Sequence, residues 1–430
     1  MTASKEKKKI LLVIGAGASV DFSLSTNPNS ADFLQNEICF PSGAELIERL
    51  QMLPDIAYEY IRTNNVLEYC SSPLYYWTFN LEIEKSFENK ACKTREEAKK
   101  LLMVRLKNTY KIGNRITCNL THKETNWRVM WFWSNHQINS MELQWDNNFL
   151  LDSLLTELLL DYRPQSIDYY IGKDAIHHIS KEHIDKMKEF SIIPNKISFT
   201  KAEEIERQAF NVDEERFFLW IKLKERAKEK IKEILGKCNI QNIRKSYFYN
   251  ILCNHVGIDN IDNLEIITFN YDLILEKTLD YLIENNHSEE RKERLKNLKL
   301  RIKHVYGDTE KGIDFIRNLE KDKTENYSQL FAEADNIYFL GFAFDDQNLK
   351  NLGLTNFLLG FGELEKGRER KVFITNFGAF SNIEFRIARL FNCKFEFVRN
   401  GTRQGFFNNY YVYIAEKTIT ESLKSDFFFE

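Results

Sequence analysis

The chain of 430 residues is 43% hydrophobic and 29% charged, enough apolar material for a sizeable core beneath an ordinary polar surface. Its 60 basic and 63 acidic side chains leave a formal net charge of −3, so no global field favours nucleic acid or an anionic membrane, although a local patch stays open. No apolar run approaches the roughly 18 residues of a membrane span, and the lysine-bearing start leads straight into an apolar run without a separate signal-peptide core. A cytoplasmic location, with no membrane and no direct nucleic-acid binding, is therefore expected.

Length sets an expectation of about two or three domains, or of one domain with a large insertion. The first element is Ile10 to Ile14, an apolar run without polar alternation, which reads as a strand buried on both faces. It ends on Gly15-Ala16-Gly17-Ala18-Ser19. Two glycines there remove the Cβ atoms that would keep a pyrophosphate away from the backbone. Ser19 adds a hydroxyl where a helix could begin, and a helix N-terminus attracts anions. This reads as the first βα turn of a dinucleotide site. Asp21 to Phe40, with Asn27, Pro28, Asn29 and Ser30, reads as a loop that could cover a ligand. Pro41 to Ile47 reads as a helix start, with Ser42 as cap and Glu45 completing a capping box.

From about Asp55 to His255 helical spacing takes over. Leu150, Leu151, Leu154, Leu155, Leu158 and Leu159 follow the i, i+3, i+4 pattern. Ile221, Leu223, Ala227, Ile231, Ile234 and Leu235 do so more loosely, with Gly236 placed as a C-terminal cap. The expectation is a mostly helical insertion over 55–255 within a discontinuous domain made of 1–54 and 256–430. Trp127 to Trp133 reads most simply as core packing or a buried strand, and more sharply as a contact surface for a partner or another subunit. His177, His178 and His183 lack a cysteine or acidic partner at ligand spacing and read as surface histidines, so no metal is expected. The lysine- and glutamate-rich stretches 222–237 and 286–303 read as solvated helix faces. Cys39, Cys70, Cys92, Cys118, Cys238, Cys253 and Cys393 form no Cys-x-x-Cys pair, which fits scattered reduced thiols rather than a disulfide framework or a zinc ribbon.

Strand signals then return. Leu264 to Asn270 runs into Tyr271-Asp272, Arg301 to Val305 into Tyr306-Gly307-Asp308, Asn336 to Leu340 into Gly341, and Lys371 to Thr375 into Asn376. Helical patterns follow several of them, as in Leu273 to Leu282 and Ile383 to Phe391. This alternation predicts an α/β fold, a Rossmann-like doubly wound parallel sheet whose ligands bind at the carboxyl ends of the strands. Asn270, Asp272, His304 and the Gly15 turn would then face a single crevice.

Four segments resemble the sirtuin superfamily, and more closely its bacterial sirtuin-like NAD-hydrolysing branch of antiphage defence. They are Gly15-Ala16-Gly17-Ala18-Ser19, Thr268-Phe269-Asn270-Tyr271-Asp272, His304-Val305-Tyr306-Gly307 and Leu340-Gly341-Phe342-Ala343-Phe344-Asp345-Asp346. The resemblance covers the first fifty or so residues and roughly 260–400. It departs from the protein-deacylating members in lacking their zinc-ribbon cysteines and their Ile-Pro-Asp-Phe-Arg segment, and in having His304-x-x-Gly307 where His-Gly is usual. It implies a sirtuin-like fold and an NAD+ hydrolase that releases nicotinamide and ADP-ribose. It also implies an effector that depletes NAD+ during infection and is held quiet by a partner or by homo-oligomeric assembly. By family analogy the partner would be a HerA-like ATPase or a short Argonaute protein. Phe427-Phe428-Phe429 is a further candidate contact surface, or a docked tail.

Breaking the nicotinamide–ribose bond needs no strong acid, because the cationic leaving group departs neutral. It needs a polar group to hold ribose and water, for which Asn270 has both donors and an acceptor, and a base near neutral pH, for which His304 is suited. By the resemblance, Asp272 contacts the nicotinamide carboxamide, the turn Gly15, Ala16, Gly17, Ala18 and Ser19 holds the pyrophosphate, and the Gly341-Phe342 turn touches the adenosine ribose. Each residue also has a plainer reading. Asn270 serves a turn, His304 is structural, and Asp272, Asp345 and Asp346 cap helices. A non-catalytic NAD or ADP-ribose sensor therefore stands beside the hydrolase, while a deacylase is disfavoured and an ADP-ribosyltransferase stays open.

Overall fold

The structure, a computed structural model, describes residues 8–26, 39–50, 116–123, 126–133, 136–143, 147–162, 164, 166–189, 191–238, 240–315, 321–354, 370–375, 381–391, 394–399, 402–407 and 410–424. Between 116 and 150 it gives the backbone alone, so the surroundings of the tryptophan side chains at 127–133 lie outside the described residues, as do 27–38, Asn376 and Phe427–Phe429. The chain divides into two compact units. One comprises Met1–Phe33, Ile38–Gly43 and Lys237–Glu430, the other Leu34–Glu37 and Ala44–Gly236.

The first unit opens with β1 (Ile10–Ile14), followed directly by the helix Ala16–Thr26. Asp21 to Thr26 thus belongs to a helix where the sequence suggested a loop. The reason is tertiary, because Phe22 is fully buried and the Asp21 carboxylate accepts from the Thr420 N–H at 3.2 Å and the Thr420 hydroxyl at 2.6 Å. Neither contact is visible in a window of local polarity.

The second unit contains the helix Gly43–Leu50, the antiparallel strands β2 (Ile116–Lys123), β3 (Asn126–Trp133) and β4 (His136–Leu143), and the helices Asn147–Tyr162, Lys181–Glu189, Lys201–Phe210 and Glu214–Lys237. Helices predominate as the spacing predicts, but a three-stranded sheet stands among them, with the Trp127–Trp133 stretch as its middle strand. The leucine pattern is the buried stripe of its helix, where Leu151, Leu154, Leu155, Leu158 and Leu159 are 5% exposed or less. The Glu214–Lys237 helix runs through Gly236, so that glycine does not end it. Its buried face carries charge as well as carbon. Arg226 donates to both oxygens of the fully buried Asp152, at 2.8 and 2.9 Å, and Lys230 donates to the Leu50 carbonyl at 2.6 Å.

Returning to the first unit, β5 (Leu264–Thr268) precedes the helices Ile274–Glu284 and Glu289–Arg301, then β6 (Lys303–His304) and a small hairpin of β7 (Gly307–Asp308) and β8 (Gly312–Ile313). After the helix Lys321–Glu333 come β9 (Asn336–Leu340), the short helix Asp346–Asn351, β10 (Arg370–Thr375), the helix Ser381–Phe391, β11 (Glu396–Arg399), β12 (Thr402–Phe407) and β13 (Tyr410–Ala415). Eight strands form one sheet in the order β11-β12-β13-β10-β9-β1-β5-β6. All neighbours from β13 to β6 are parallel; β12 alone runs against the rest, pairing antiparallel with both β13 and β11. The chain is therefore α/β with a mostly parallel sheet.

All five apolar runs singled out in the sequence lie side by side in this sheet. The three strands at its far end went unread, because they follow one another through short turns and lack the strand–helix rhythm of the rest. Their docking onto β10 is fixed by packing across strands. Tyr338, Phe373 and Tyr413, in register on β9, β10 and β13, stack with ring centroids 4.7 and 5.1 Å apart.

Candidate functional site

Register puts the site together. Ile14 pairs with both Thr268 and Leu340, and Thr268 pairs with His304, so β1, β5, β6 and β9 finish level with one another. Beyond that common edge the sequence supplies Gly15, Asn270, Val305 and Gly341. Strand order reverses here as well, since β5 and β6 extend the sheet on one side of β1, and β9 and β10 on the other.

Asn270 and Asp272 follow β5 and are each 8% exposed. Ser19, in the first turn of the Ala16–Thr26 helix, lies between them. Its hydroxyl donates to Asp272 Oδ2 at 2.6 Å and accepts from Asn270 Nδ2 at 2.7 Å. Because Asp272 as a carboxylate accepts only, the direction of the chain is set, and it fixes which way the Asn270 amide points. Nitrogen is spent on Ser19; Oδ1 is buried with no hydrogen-bond partner among the described residues. A buried carbonyl oxygen left so costs about 1–3 kcal/mol, which a donor from outside would recover. Asp272 also accepts from the Ile274 N–H at 3.2 Å, so it closes the turn that leads into the helix and orders Ser19 at once. Burial pushes its carboxyl above the usual range, against the opposing bonds from Ser19 and Ile274.

His304 ends β6 with both ring nitrogens engaged. Nδ1 lies 3.1 Å from the Asn270 carbonyl and Nε2 lies 2.8 Å from Glu276 Oε1. Burial alone would lower its pKa; the hydrogen bond and charge of Glu276, with smaller contributions from the Asn270 carbonyl and Asp308, outweigh burial and raise it. The sequence reading asks His304 to accept a proton, yet neither nitrogen is open in this arrangement.

The glycine turn shows a packing role. Gly15 N–H donates to the Leu340 carbonyl and Gly17 N–H to the Gly341 carbonyl, each at 3.0 Å. A Cβ on Gly15 would lie 2.6 Å from the Gly341 oxygen, and one on Gly341 would lie 2.2 Å from the Ala18 nitrogen. These residues are glycine because two strand-end turns touch backbone to backbone. Ala18 N–H donates to the Gly15 carbonyl at 2.9 Å, so two of the N–H groups expected to face a pyrophosphate, those of Gly17 and Ala18, are bound within the protein. Ala16 and Ala18 both lie in the first turn of the helix. Phe342 is buried among Phe269, Phe339 and Phe344, with ring centroids 5.0 to 5.6 Å away, so its ring serves packing. Asp345 caps the next helix by accepting from the Asn348 N–H at 2.9 Å.

Several further neighbours complete this edge. Thr375 at the end of β10 accepts from the Gly341 N–H at 2.9 Å, and Thr268 accepts from the Asn270 N–H at 3.1 Å. The Tyr306 hydroxyl donates to Asn348 and accepts from Asn351 at 3.0 Å. Tyr247 is fully buried, which, with the nearby charges of Asp272, Asp21 and Glu276, holds its phenol well above the usual value. Glu276 was legible only as the acidic residue in the first turn of the helix after β5, not as a partner of His304. Away from this edge, His178 stacks on Tyr162 at 3.5 Å and His183 faces Glu157 at 3.3 Å. Among the described residues no group of histidine, cysteine and acidic side chains has metal-binding geometry, and no helix is long and apolar enough to cross a membrane.

What the residues define is an α/β chain with a buried polar cluster at the carboxyl edge of its parallel strands. No protein-family model, curated protein or solved structure matches this chain.

Proposed function

We propose that this chain is a sirtuin-like NAD+ hydrolase on a Rossmann-like sheet, cleaving the nicotinamide–ribose bond with water to give nicotinamide, ADP-ribose and a proton. The observation that carries the reading is Asn270 Oδ1, a buried acceptor that the Asp272–Ser19–Asn270 chain holds with no partner among the described residues. Such an atom fits a donor with two requirements to meet, a ribose hydroxyl or the attacking water. The strand order supports the reading too. Taken from β6 through β5, β1 and β9 to β10, it is that of a doubly wound nucleotide-binding sheet, whose ligands lie where the order reverses. Asn270 and His304 are the residues assigned to the reaction. Asp272 and Ser19, with the two turns formed by Gly15, Ala16, Gly17 and Ala18 and by Gly341 and Phe342, are the residues assigned to the nucleotide's side of the site. Depletion of NAD+ in antiphage defence, in the cytoplasm, is the biological role that goes with this chemistry. Control by assembly or by a HerA-like ATPase or short Argonaute partner belongs to the same proposal.

A second reading has its own observation. With both nitrogens of His304 and the N–H groups of Gly17 and Ala18 engaged, the site also suits a module that binds NAD or ADP-ribose without turning it over. Nicotinamide release from NAD+ by purified protein separates the two, measured beside Asn270→Ala and His304→Ala. The hydrolase requires turnover that falls at least about a hundredfold in Asn270→Ala, with nucleotide binding and the thermal midpoint retained. Binding without turnover, both alone and after co-expression with genomic neighbours, would favour the sensor.

A further inference from the structure

Two hydrogen-bond chains meet on Asn270. One runs from Asp272 through Ser19 to its side-chain nitrogen. The other runs from Glu276 through His304 to its main-chain carbonyl. In the second chain the imidazole lies between two acceptors, a carbonyl and a carboxylate. A neutral imidazole has a single N–H and satisfies only one of them, whereas an imidazolium satisfies both. Glu276 Oε2 is itself buried without a hydrogen-bond partner among the described residues, so His304 is the compensation they show. The other charges facing the ring are Asp272 and Asp308. Asp308 is occupied by the Glu310 and Lys311 N–H groups at 2.8 and 2.6 Å, and Asp272 by Ser19 and the Ile274 N–H.

We propose that Glu276 is a positioning residue that keeps His304 a double donor, so that His304 anchors the Asn270 backbone as a cation and does not act as the proton acceptor. The inference rests on the assignment of Asn270 as the functional residue of the site and gives His304 a different task there. Proton transfer from the attacking water then falls to bulk solvent or to a group other than His304. The raised pKa of His304 agrees with this geometry.

The test begins with histidine-labelled protein followed by NMR against pH, the His304 signal being identified by its loss in His304→Gln. The wild-type ring is expected to titrate above the ordinary histidine value of about 6.5. In Glu276→Gln, which keeps shape but removes the charge, burial dominates. The midpoint is expected to fall below that of the wild type, and the Asn270 amide signals to shift. Nicotinamide release supplies the functional arm. Wild-type activity should decline as pH rises through the His304 midpoint, and the decline should begin at lower pH in Glu276→Gln, with kcat near pH 7.5 reduced about tenfold and KM little changed. Three results would overturn the proposal: a wild-type midpoint below 6.5, a midpoint indifferent to Glu276→Gln, or activity that rises through the His304 midpoint as a general base requires. Should wild-type protein release no nicotinamide at any pH while the NMR behaves as expected, the hydrolase reading fails and the positioning role stands. If Glu276→Gln does not fold, the wild-type midpoint and the sign of the pH profile decide the matter.

Discussion

Asn270 shows how much one side chain is fixed by partners that sequence cannot rank. Strand-end position made it a candidate, but the orientation of its amide depends on Ser19, some 250 residues away in the chain. His304 makes the same point with charge. Its pKa lies above the unfolded value, so its contribution to stability is fully present below about pH 6.5 and is lost as pH rises through the native value. Urea unfolding of wild type between pH 6.5 and 8.5 should therefore show a loss of stability that His304→Gln lacks. An unchanged pH slope in the variant would mean that the ring carries no linked proton. A lone histidine at a strand end announces none of this. The sign follows from Glu276 and from burial, which are properties of the fold.

Among the elements, the turns after β1 and β9 touch backbone to backbone. Gly341 has φ +59° and its missing Cβ would meet the Ala18 nitrogen at 2.2 Å. Gly341→Ala combines a left-handed backbone with overpacking and should cost about 2–4 kcal/mol, read as a fall in the urea midpoint at constant m. This is why the glycines were legible as special while the reason for them was not. A turn that must approach a phosphate and a turn that must approach another turn have the same sequence. In the second unit the Glu214–Lys237 helix is held by a buried ion cluster as well as by its apolar stripe. Burial pushes the Lys230 ammonium down to about 8, against the pull of Asp152, whose carboxylate lies 3.9 Å away and also holds Arg226. Asp152→Asn removes the fully buried carboxylate of the cluster, leaving Arg226 its exposed partners Glu229 and Glu233, and should cost about 3 kcal/mol in the same assay. It should also move the Lys230 midpoint further down. The helical periodicity around Leu154 was readable because an apolar stripe is a local pattern; the pairing of positions 152 and 226 was not, because nothing local links them.

At the scale of the whole molecule, the first unit is assembled from segments separated by nearly two hundred residues, with its own continuous sheet and core. The Cys238 thiol lies 3.3 Å from the Cys39 carbonyl, so the chain leaves this unit and returns to it at nearly the same place. Replacing 44–236 by a short Gly-Ser linker should leave an α/β protein that unfolds cooperatively, as followed by circular dichroism and urea titration. A non-cooperative product would show that the first unit needs the second in order to fold. What sequence determined by itself was the set of buried strands, β1, β5, β9 and β10, and the polar residues beyond them, with the edge strand β6 marked only by the turn that follows it. It could do so because a strand buried on both faces must be continuously apolar and must stop where the chain becomes polar. Only the tertiary structure decided that glycine meets glycine across two turns, that three further strands extend β10, that Asp21 lies in a helix, and that His304 is clasped by Glu276. Those outcomes depend on register, burial and charge between distant segments, and such interactions leave no period in the chain.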